Sequence, residues 1–461
     1  MIGVKPTRIH GAVRAALLAA MLASAACGAS GSARHPGFQW GQSTSSFQNE
    51  GGDVDDNWHY YIARDGLPAY GRAVDFEHRY AEDLALGRDL GLDTWRFSIA
   101  WGRVVPSPGQ VSEEALAYYD DVFAELRRDR IRPLLTLDHW NYPKWVYDQG
   151  AMTNPKTVDD YLSFVTTVVD RYGAEIDRYL TFNEPYFYEL TEQQYHPLSR
   201  DQAAAMQANL VDAHRRAYDL IHERDPGASV SANYAWIGDG VLGSLASDPF
   251  LDAVEGRLDF AALDYYVPAY HQLQDLVPIF TGRAWAARKD PFGIYTALRA
   301  MQRRFPGLPV FITENGDYQQ GTDAGPIAPS DGYTREESLS DTIYWVERAM
   351  QDGVPVVGYS YWALTDDWEW GVGFAFRLGL YTVNPDDPDL TRTPTAAVDV
   401  YRDIIRRGGV KDGYAPIRRP DAADCETATV DPADRATCHA AAAGVGAARG
   451  SSASRPARAI G

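Results

Sequence analysis

Short apolar runs of strand length alternate along the chain with stretches in which apolar residues recur every three or four positions. The second pattern is seen in SEEALAYYDDVFAELRRD, where Leu116, Tyr119, Phe123 and Leu126 fall on one face of a predicted helix. Ser112 precedes its first turn and is suited to cap it. Several of the apolar runs are apolar at both odd and even positions, as in a sheet covered on both faces. The pattern therefore predicts a parallel sheet wrapped by helices.

Eight apolar runs follow one another with helical stretches between them. They are FQWG at Phe38, TWRFSIAW at Thr94, RPLLTLDHW at Arg132, YLTFNE at Tyr179, SVSANY at Ser229, LDFAALDYY at Leu258, LPVFITENG at Leu308 and VPVVGYSYW at Val354. Eight repeats of strand and helix predict an α/β fold, a single (β/α)8 TIM barrel. A doubly wound open sheet is the alternative, but no glycine-rich dinucleotide-binding turn follows the first run.

The N-terminal residues differ in composition from the rest of the chain. Lys5, Arg8 and Arg14 precede a run of small and apolar residues that is too short to span a bilayer, so residues 1–27 are predicted to be an export signal. Two endings stay open. The ASA of residues 23–25 suits ordinary cleavage, whereas SAACG is similar to a bacterial lipobox and would attach a lipid to Cys27. The protein is thus expected to be exported, either free outside the cell or as a surface lipoprotein.

The rest of the chain is divided by composition into three parts. Residues 28–37 are predicted to be a linker, residues 38–412 the barrel domain, and residues 413–461 a low-complexity tail that is disordered or loosely attached. The tail contains Cys425 and Cys438. These two thiols are expected either to pair in an oxidising compartment or to stay free in a disordered segment.

Charge and aromatic content limit the ligands to be considered. The 461-residue chain has a formal net charge of -20, which argues against nucleic acid or an anionic membrane surface as the main partner. The 12 Trp and 28 Tyr suit a thick core or the apolar faces of sugars. Among 10 His and 3 Cys no spacing typical of a metal site is found, so no metal or cofactor is expected. A neutral ligand fits this composition best.

Polar side chains stand at the ends of the apolar runs, where a barrel places its active site. They are Gln48, Glu50, Arg96, His139, Trp140, Asn183, Glu184, Tyr266, Glu314, Trp362, Glu369 and Trp370. Two carboxylates end the fourth and seventh runs, in TFNEP and ITENG, and a barrel would bring them face to face. Such a pair can cleave a glycosidic bond, because one group transfers a proton while the other attacks or activates water. For either glutamate alone a structural salt bridge is the simpler interpretation, but the two together favour catalysis.

These motifs resemble glycoside hydrolase family 1, the β-glucosidase family of retaining enzymes on a (β/α)8 barrel. The similarity extends from FQWGQSTSSFQNEGG through HRYAEDLALGRDLGLDTWRFSIAWGRV, LDHW, TFNEP, LDFAALDYY and ITENG to DGVPVVGYSYWALTDDWEWGVGFAFRLGL, in the family's order. The resemblance implies an exo-acting retaining β-glycosidase that works through a covalent glycosyl-enzyme and needs no cofactor. It implies an unphosphorylated β-D-glycoside as substrate, because Glu369 stands where phosphosugar-cleaving members have a small Ser-type residue.

The resemblance also implies a role for each site residue. Glu184 matches the general acid and base and Glu314 the nucleophile, with carboxyl groups about 5 to 5.5 Å apart. Arg96 and Tyr266 match residues that hydrogen-bond the nucleophile, and Asn183 matches the one that holds the sugar 2-hydroxyl. The other matches form the hydroxyl-binding ring and stacking floor of the innermost sugar subsite: Gln48, His139, Trp140, Trp362, Glu369 and Trp370. One departure is Asp264, which stands where the family usually has Asn and adds a third negative charge near the site.

Two other functions stay open at this point. One is an endo-acting β-glycanase of a related barrel family, which needs an open groove. Gln48 and the Glu369–Trp370 pair argue against it, because they would close off the non-reducing end of the sugar. The other is a surface lipoprotein that binds sugar without cleaving it, and the intact Glu184 and Glu314 argue against that.

Overall fold

The computed structural model describes residues 35–238, 249–266, 286–322, 325–327, 331–423, 425–428 and 431–444. The predicted export signal, Cys27 and most of the predicted linker lie outside these ranges. Within them, every helix is too short or too polar to cross a membrane.

Parallel strands form the centre of the fold and come from the eight apolar runs. They are β1 (Gln39–Ser43), β2 (Thr94–Ser98), β3 (Arg132–Asp138), β4 (Arg178–Phe182), β5 (Ser229–Ser231, continued as Asn233–Ala235), β6 (Ala261–Asp264), β7 (Val310–Asn315) and β8 (Val356–Trp362). Strand β1 pairs with both β2 and β8. The first segment of β5 pairs with β4 and its second segment with β6. Because only Ala232 separates the two segments, the sheet closes, and the predicted (β/α)8 barrel is confirmed.

Helices follow the strands and cover the outside of the barrel. They are α1 (Ser46–Glu50), α2 (Asn57–Asp65), α3 (Phe76–Leu90), α4 (Trp101–Val104), α5 (Glu113–Asp129), α6 (Lys144–Asp148), α7 (Lys156–Tyr172), α8 (Pro185–Tyr195), α9 (Arg200–Arg224), α10 (Gly293–Arg304), α11 (Arg335–Gln351), α12 (Ala396–Arg407), α13 (Cys425–Ala428) and α14 (Pro432–Ala442). Helix α5 shows why they form where they do. Ser112 caps it by accepting a hydrogen bond from the Ala115 N–H, and Leu116, Tyr119, Phe123 and Leu126 are buried, as the periodicity predicts.

Short strands outside the barrel form two smaller sheets. One contains Gln319–Thr322, Gly325–Pro326 and Phe376–Arg377, and the other pairs Tyr381–Thr382 with Thr393–Pro394. The first of them connects the segment after β7 to the segment after β8, so it braces the mouth of the barrel.

The interior of the barrel is filled by side chains and is not an open channel. Leu134, Leu180, Ala262 and Phe311 come from four different strands and pack together as a buried cluster. Gly358 in β8 is required by this packing, since a Cβ there would overlap the Phe311 ring. A larger buried cluster lies between the strands and the helices. The filled interior leaves the C-terminal ends of the strands as the place for a ligand.

The prediction of a disordered or loosely attached tail is wrong for the described residues between 413 and 444. Cys425 and Cys438 form a disulfide, and both side chains are buried. Asp434 on α14 is buried and accepts hydrogen bonds from Arg299 Nε, at 2.7 Å, and from Arg303 Nη1. The tail has few large apolar residues, but the cross-link and the ion pairs to α10 replace apolar burial as the source of its order.

We expect Asp434→Ala to destabilise the protein, because it leaves the guanidinium groups of Arg299 and Arg303 without the buried carboxylate between them. Since both arginines are partly exposed, the loss in free energy of unfolding should be modest, about 1 to 2 kcal/mol. Thermal or urea unfolding measures it. The control is His439→Ala on the same helix, because His439 is exposed and its ring lies 2.9 Å from Glu426 at the surface. Equal stability of the Asp434 variant and the control would show that the tail is not held to α10 in this way.

Candidate active site

The residues predicted for the site surround one cavity of about 730 Å³ at the C-terminal ends of the strands. The cavity is lined by Gln48, His139, Trp140, Asn183, Glu184, Tyr266, Glu314, Trp362, Glu369 and Trp370. Arg96 lies behind this lining, fully buried and bonded to Glu314. The volume of the cavity fits a small-molecule ligand such as one or a few sugar rings.

The carboxylates of Glu184 and Glu314 lie side by side at the mouth of the barrel. Glu184 follows β4 and begins α8, where its backbone adopts the left-handed conformation with φ 37° and Pro185 occupies the first helical turn. Glu314 lies in β7. One carboxylate oxygen of each, together with one of Asp264, lie within 4.8 Å of one another. This spacing suits direct attack on a shared anomeric carbon and leaves no room for the water that an inverting enzyme places between acid and base.

Both oxygens of Glu314 accept hydrogen bonds. Arg96 Nη1 donates to Oε1, and the Tyr266 hydroxyl donates to Oε2 over 2.8 Å. Charged and aromatic donors on both oxygens stabilise the ionised form of a carboxylate and fix its orientation. Both oxygens of Glu314 are thus held in a defined position by these two donors.

The amide of Asn183 is held in one orientation. Its Oδ1 accepts hydrogen bonds from Arg96 Nη2 at 2.7 Å and from Asn233 Nδ2 at 2.6 Å. A carbonyl oxygen has two lone pairs, so these two donors occupy it fully. The amide therefore has its NH2 group left to donate to a ligand in the cavity.

Trp140 is placed by a left-handed turn after β3, with φ 62°. Its backbone N–H donates to Asp138 Oδ1 at 2.8 Å, and its carbonyl accepts from Trp58 Nε1 at 2.9 Å. The indole Nε1 donates to the backbone carbonyl of Asn183 at 2.8 Å. These bonds hold the Trp140 ring against the end of β4, next to Glu184.

The rings of His139, Trp362 and Trp370, together with the Glu369 carboxyl, form another part of the cavity lining. The His139 ring lies 5.6 Å from the Trp362 ring and 5.9 Å from the Trp370 ring, and the Trp370 ring packs 4.6 Å from Trp58. The peptide bond between Trp362 and Ala363 is cis. Burial lowers the pKa of His139 well below its ordinary value, so its ring is neutral. Flat apolar faces beside hydrogen-bonding groups are the surface that a sugar ring needs.

Burial and the crowding of carboxyl groups raise the pKa of Glu184. The pKa of Glu184 lies well above its ordinary value because of desolvation first, then the negative charge of Asp264, then that of Glu314. Arg96 opposes this and Glu369 adds to it. The shift favours the protonated form of Glu184, which is the form that can donate a proton. Burial and the charge of Glu314 likewise raise the pKa of Glu369 to about 7.

One residue flagged by the sequence pattern lies outside the cavity. Glu50 ends α1 in the interior, where Arg103 Nε binds it at 3.0 Å and the Tyr119 hydroxyl donates to it at 2.9 Å. Burial raises the pKa of Glu50 to about 7. It is a buried structural carboxyl, which is the simpler interpretation that the sequence also allows for a strand-end glutamate.

Several residues of the site were not predicted. Asn233 joins Asn183 to Asp264 through its NH2 group. Its signal was present, because Asn233 stands one residue before the end of the fifth apolar run, SVSANY, as Asn183 does in the fourth, YLTFNE. The cavity is also lined by apolar and aromatic side chains that were not predicted: Leu67, Phe187, Trp236, Ile237, Tyr318, Val372 and Phe376.

Comparison with known proteins gives one consistent result. The sequence model of Glycosyl hydrolase family 1 matches residues 33–271 and 268–410. The chain is 26% identical over 467 residues to aryl-phospho-beta-D-glucosidase BglC of Bacillus subtilis, covering 81% of this chain and 97% of that protein. It is also 26% identical over 487 residues to beta-glucosidase 32 of Arabidopsis thaliana, covering 81% of this chain and 89% of that protein.

Solved structures agree with the fold. The beta-glycosidase from Pyrococcus horikoshii superposes with a TM-score of 0.71 at 26% identity, over 82% of this chain and 96% of that one. The beta-glucosidase from Thermotoga maritima in complex with deoxynojirimycin superposes with a TM-score of 0.70 at 22% identity, over 82% of this chain and all of that one.

We expect Asp264→Asn to move the alkaline limb of the pH profile to lower pH. The negative charge of Asp264 raises the pKa of Glu184, so its removal lowers that pKa, and Glu184 loses its proton at a lower pH. Glu314, Glu369 and Arg96 act on Glu184 unchanged in the variant. The measurement is kcat/KM against pH for an aryl β-glycoside with a poor leaving group, which needs the proton. A limb that stays in place or moves to higher pH would contradict the electrostatic role of Asp264.

Proposed function

Since the chain belongs to glycosyl hydrolase family 1 and is a glycosidase that hydrolyses O-glycosyl bonds, we propose that Glu184 and Glu314 together cleave its β-glycosides by double displacement. The observation that carries this assignment is the spacing of the two carboxylates, whose oxygens lie within 4.8 Å of each other in the cavity. The hydrogen bonds hold both oxygens of Glu314 in place, whereas burial and the neighbouring carboxyl groups raise the pKa of Glu184. One is ready to attack and the other to donate a proton.

The proposed reaction has two steps. In the first, the Glu314 carboxylate bonds to the anomeric carbon while the glycosidic bond breaks and the leaving oxygen takes the proton of Glu184. In the second, the Glu184 carboxylate takes a proton from water, the water oxygen bonds to the anomeric carbon, and the ester to Glu314 breaks. The product keeps the β configuration, and Glu184 is protonated again. Asn183 donates to the sugar 2-hydroxyl, a contact that strengthens as positive charge develops on the ring.

The innermost sugar of the substrate is proposed to be unphosphorylated. One relative is named as a phospho-glucosidase, which makes the question a real one for this chain. Among the described residues that line the cavity there is no Lys or Arg, while Glu184, Asp264, Glu314 and Glu369 are acidic. A phosphate in this cavity would meet carboxyl groups and no cation, which is unfavourable.

The cavity favours an exo-acting enzyme over the endo-acting alternative. Gln48 and Glu369 are buried and line the cavity, and Trp370 packs over them on Phe47 and Trp58. An endo-acting enzyme needs a groove open at both ends, whereas buried polar groups on one side suit a single terminal sugar. The apolar side chains of the lining, such as Leu67, Phe187 and Ile237, favour a leaving group that is bound mainly by burial of its own apolar surface.

Export and a lipid anchor also belong to this proposal. The Cys425–Cys438 disulfide supports an oxidising compartment, where such bonds persist. Cys27 would be the first residue of a mature lipoprotein. Mass spectrometry of the N-terminal peptide from the producing cells tests this: a lipid-modified Cys27 supports the anchor, a free N-terminus near Ala25 supports secretion, and an uncleaved Met1 terminus excludes both.

We expect Glu184→Gln to slow substrates with poor leaving groups far more than activated ones. The glutamine cannot donate a proton, and a leaving group of low pKa departs without one. The measurement is kcat/KM for a series of aryl β-D-glucosides of graded leaving-group pKa, with the configuration of the first product followed by NMR. A loss of about 100-fold or more is expected for the poorest leaving group.

The control is Glu314→Ala, which should be inactive on the whole series because it removes the nucleophile. Equal slowing of good and poor leaving groups by Glu184→Gln would rule out its role as the acid. Inversion of configuration by the wild-type enzyme would rule out the covalent route. Activity on a polymer with none on any aryl glycoside would favour the endo-acting alternative, and no activity on either would favour a sugar-binding protein.

A further inference from the structure

Asn233 is a buried side chain behind the lining residues Asn183 and Asp264, and the proposed mechanism does not yet use it. It lies in the second segment of β5 and is 1% exposed. Its Nδ2 donates to Asn183 Oδ1 at 2.6 Å and also to Asp264 Oδ2. Both hydrogens of this NH2 group are thus engaged, one toward each neighbour. Asn233 is the link between the strand-end residues of β4 and β6.

Asp264 fixes the direction of this link. Thr313 Oγ1 donates to Asp264 Oδ1 at 2.6 Å, so each oxygen of Asp264 accepts one hydrogen bond. Both oxygens of Asp264 thus face a donor, which places the NH2 group of Asn233, and not its oxygen, toward Asp264. The same NH2 group then reaches Asn183. The aspartate therefore sets which end of the Asn233 amide faces the site.

Arg96 acts at the other end of the chain of hydrogen bonds. A guanidinium can only donate, so its Nη2 requires the oxygen of Asn183 at 2.7 Å. Asn233 supplies the second donor to that oxygen from the opposite neighbour. With an acceptor-only group at one end and a donor-only group at the other, the amides of Asn233 and Asn183 have one consistent arrangement. Asn183 then turns its NH2 group toward the cavity.

We propose that Asn233, held by Asp264, is a positioning residue that sets the amide of Asn183 to donate a hydrogen bond to the 2-hydroxyl of the sugar. This inference rests on the proposed function. Asn233 does not itself touch the reacting atoms and acts through Asn183. Without it, the Asn183 amide keeps only one of its two fixed donors, and its NH2 group is free to turn away from the sugar as charge develops at the anomeric carbon.

The test compares 4-nitrophenyl β-D-glucoside with its 2-deoxy counterpart. For each enzyme, the ratio of the two kcat/KM values measures how much the 2-hydroxyl contributes to the transition state. Asn233→Ala is expected to lower this ratio about tenfold relative to the wild type, the size of one neutral to charge-assisted hydrogen bond, with the change in kcat and little in KM. Asn233→Ser keeps one donor and should give an intermediate ratio, so it carries the test if the alanine variant does not fold.

Asn315 provides the matched control. It is a buried strand-end asparagine in β7 whose Nδ2 donates to the Tyr265 carbonyl at 2.6 Å and whose Oδ1 accepts from Tyr359 at 2.8 Å, with no bond to Asn183. Asn315→Ala should leave the ratio at its wild-type value even if it lowers stability. An unchanged ratio in both Asn233 variants would overturn the proposal, as would an equal fall in the Asn315 variant.

Failure of this inference is distinguishable from failure of the proposed function. If the wild-type enzyme hydrolyses the glucoside with retention but the Asn233 variants slow both substrates equally, Asn233 is only structural and the double displacement stands. If the wild-type enzyme hydrolyses neither aryl glycoside, the proposed function fails and the positioning role fails with it.

Discussion

The buried guanidinium of Arg96 is the interaction on which the rest of the site depends. It extends from β2 into the closed end of the cavity and donates to Thr136 from β3, Asn183 after β4 and Glu314 in β7. A buried charge is costly unless it is paired and fully hydrogen-bonded, and each of the three nitrogen groups of this side chain has an acceptor. One cation therefore fixes the proposed nucleophile Glu314 and the proposed 2-hydroxyl donor Asn183 relative to each other, although they lie far apart along the chain.

Three carboxyl groups, those of Glu184, Asp264 and Glu314, lie close together near this one cation, and their surroundings differ. Glu314 accepts hydrogen bonds from the Arg96 guanidinium and the Tyr266 phenol, whereas burial and the charges of Asp264 and Glu314 raise the pKa of Glu184. The donors thus hold Glu314 in place, and the raised pKa favours a proton on Glu184. Asp264 contributes in two ways, because its charge raises the pKa of Glu184 and its oxygens orient Asn233. An asparagine at this position would keep much of the hydrogen bonding and lose the charge.

The frame that holds this arrangement is stabilised in different ways at its centre and its edge. Inside the barrel, apolar side chains from several strands fill the interior, and Gly358 makes room for Phe311. Near the C-terminus of the chain, the described part of the segment from Tyr414 to α14 has little apolar surface to bury. It is ordered instead by the Cys425–Cys438 bond, by Asp434 between two arginines and by the bonds of Asp341 to Tyr414 and the following backbone. Stabilisation by a disulfide and a few ion pairs and hydrogen bonds depends on specific pairs of residues. Such pairs give no periodic pattern in a sequence.

The sequence by itself determined the fold and the two acidic residues at its mouth. Local apolar runs marked all eight strands, and closure of a parallel sheet brings every run end to one rim, so Glu184 and Glu314 could be placed together without coordinates. The same rule flagged Glu50, which the structure turns into the interior against Arg103. The same rule applies to Asn233, which lies in the second segment of the fifth strand, near the end of its apolar run. Only the tertiary structure decided which hydrogen bonds each polar group makes, and hence which carboxyl carries a proton and which way each amide points. These depend on atoms brought within a few ångströms by segments hundreds of residues apart, and no local pattern records such contacts.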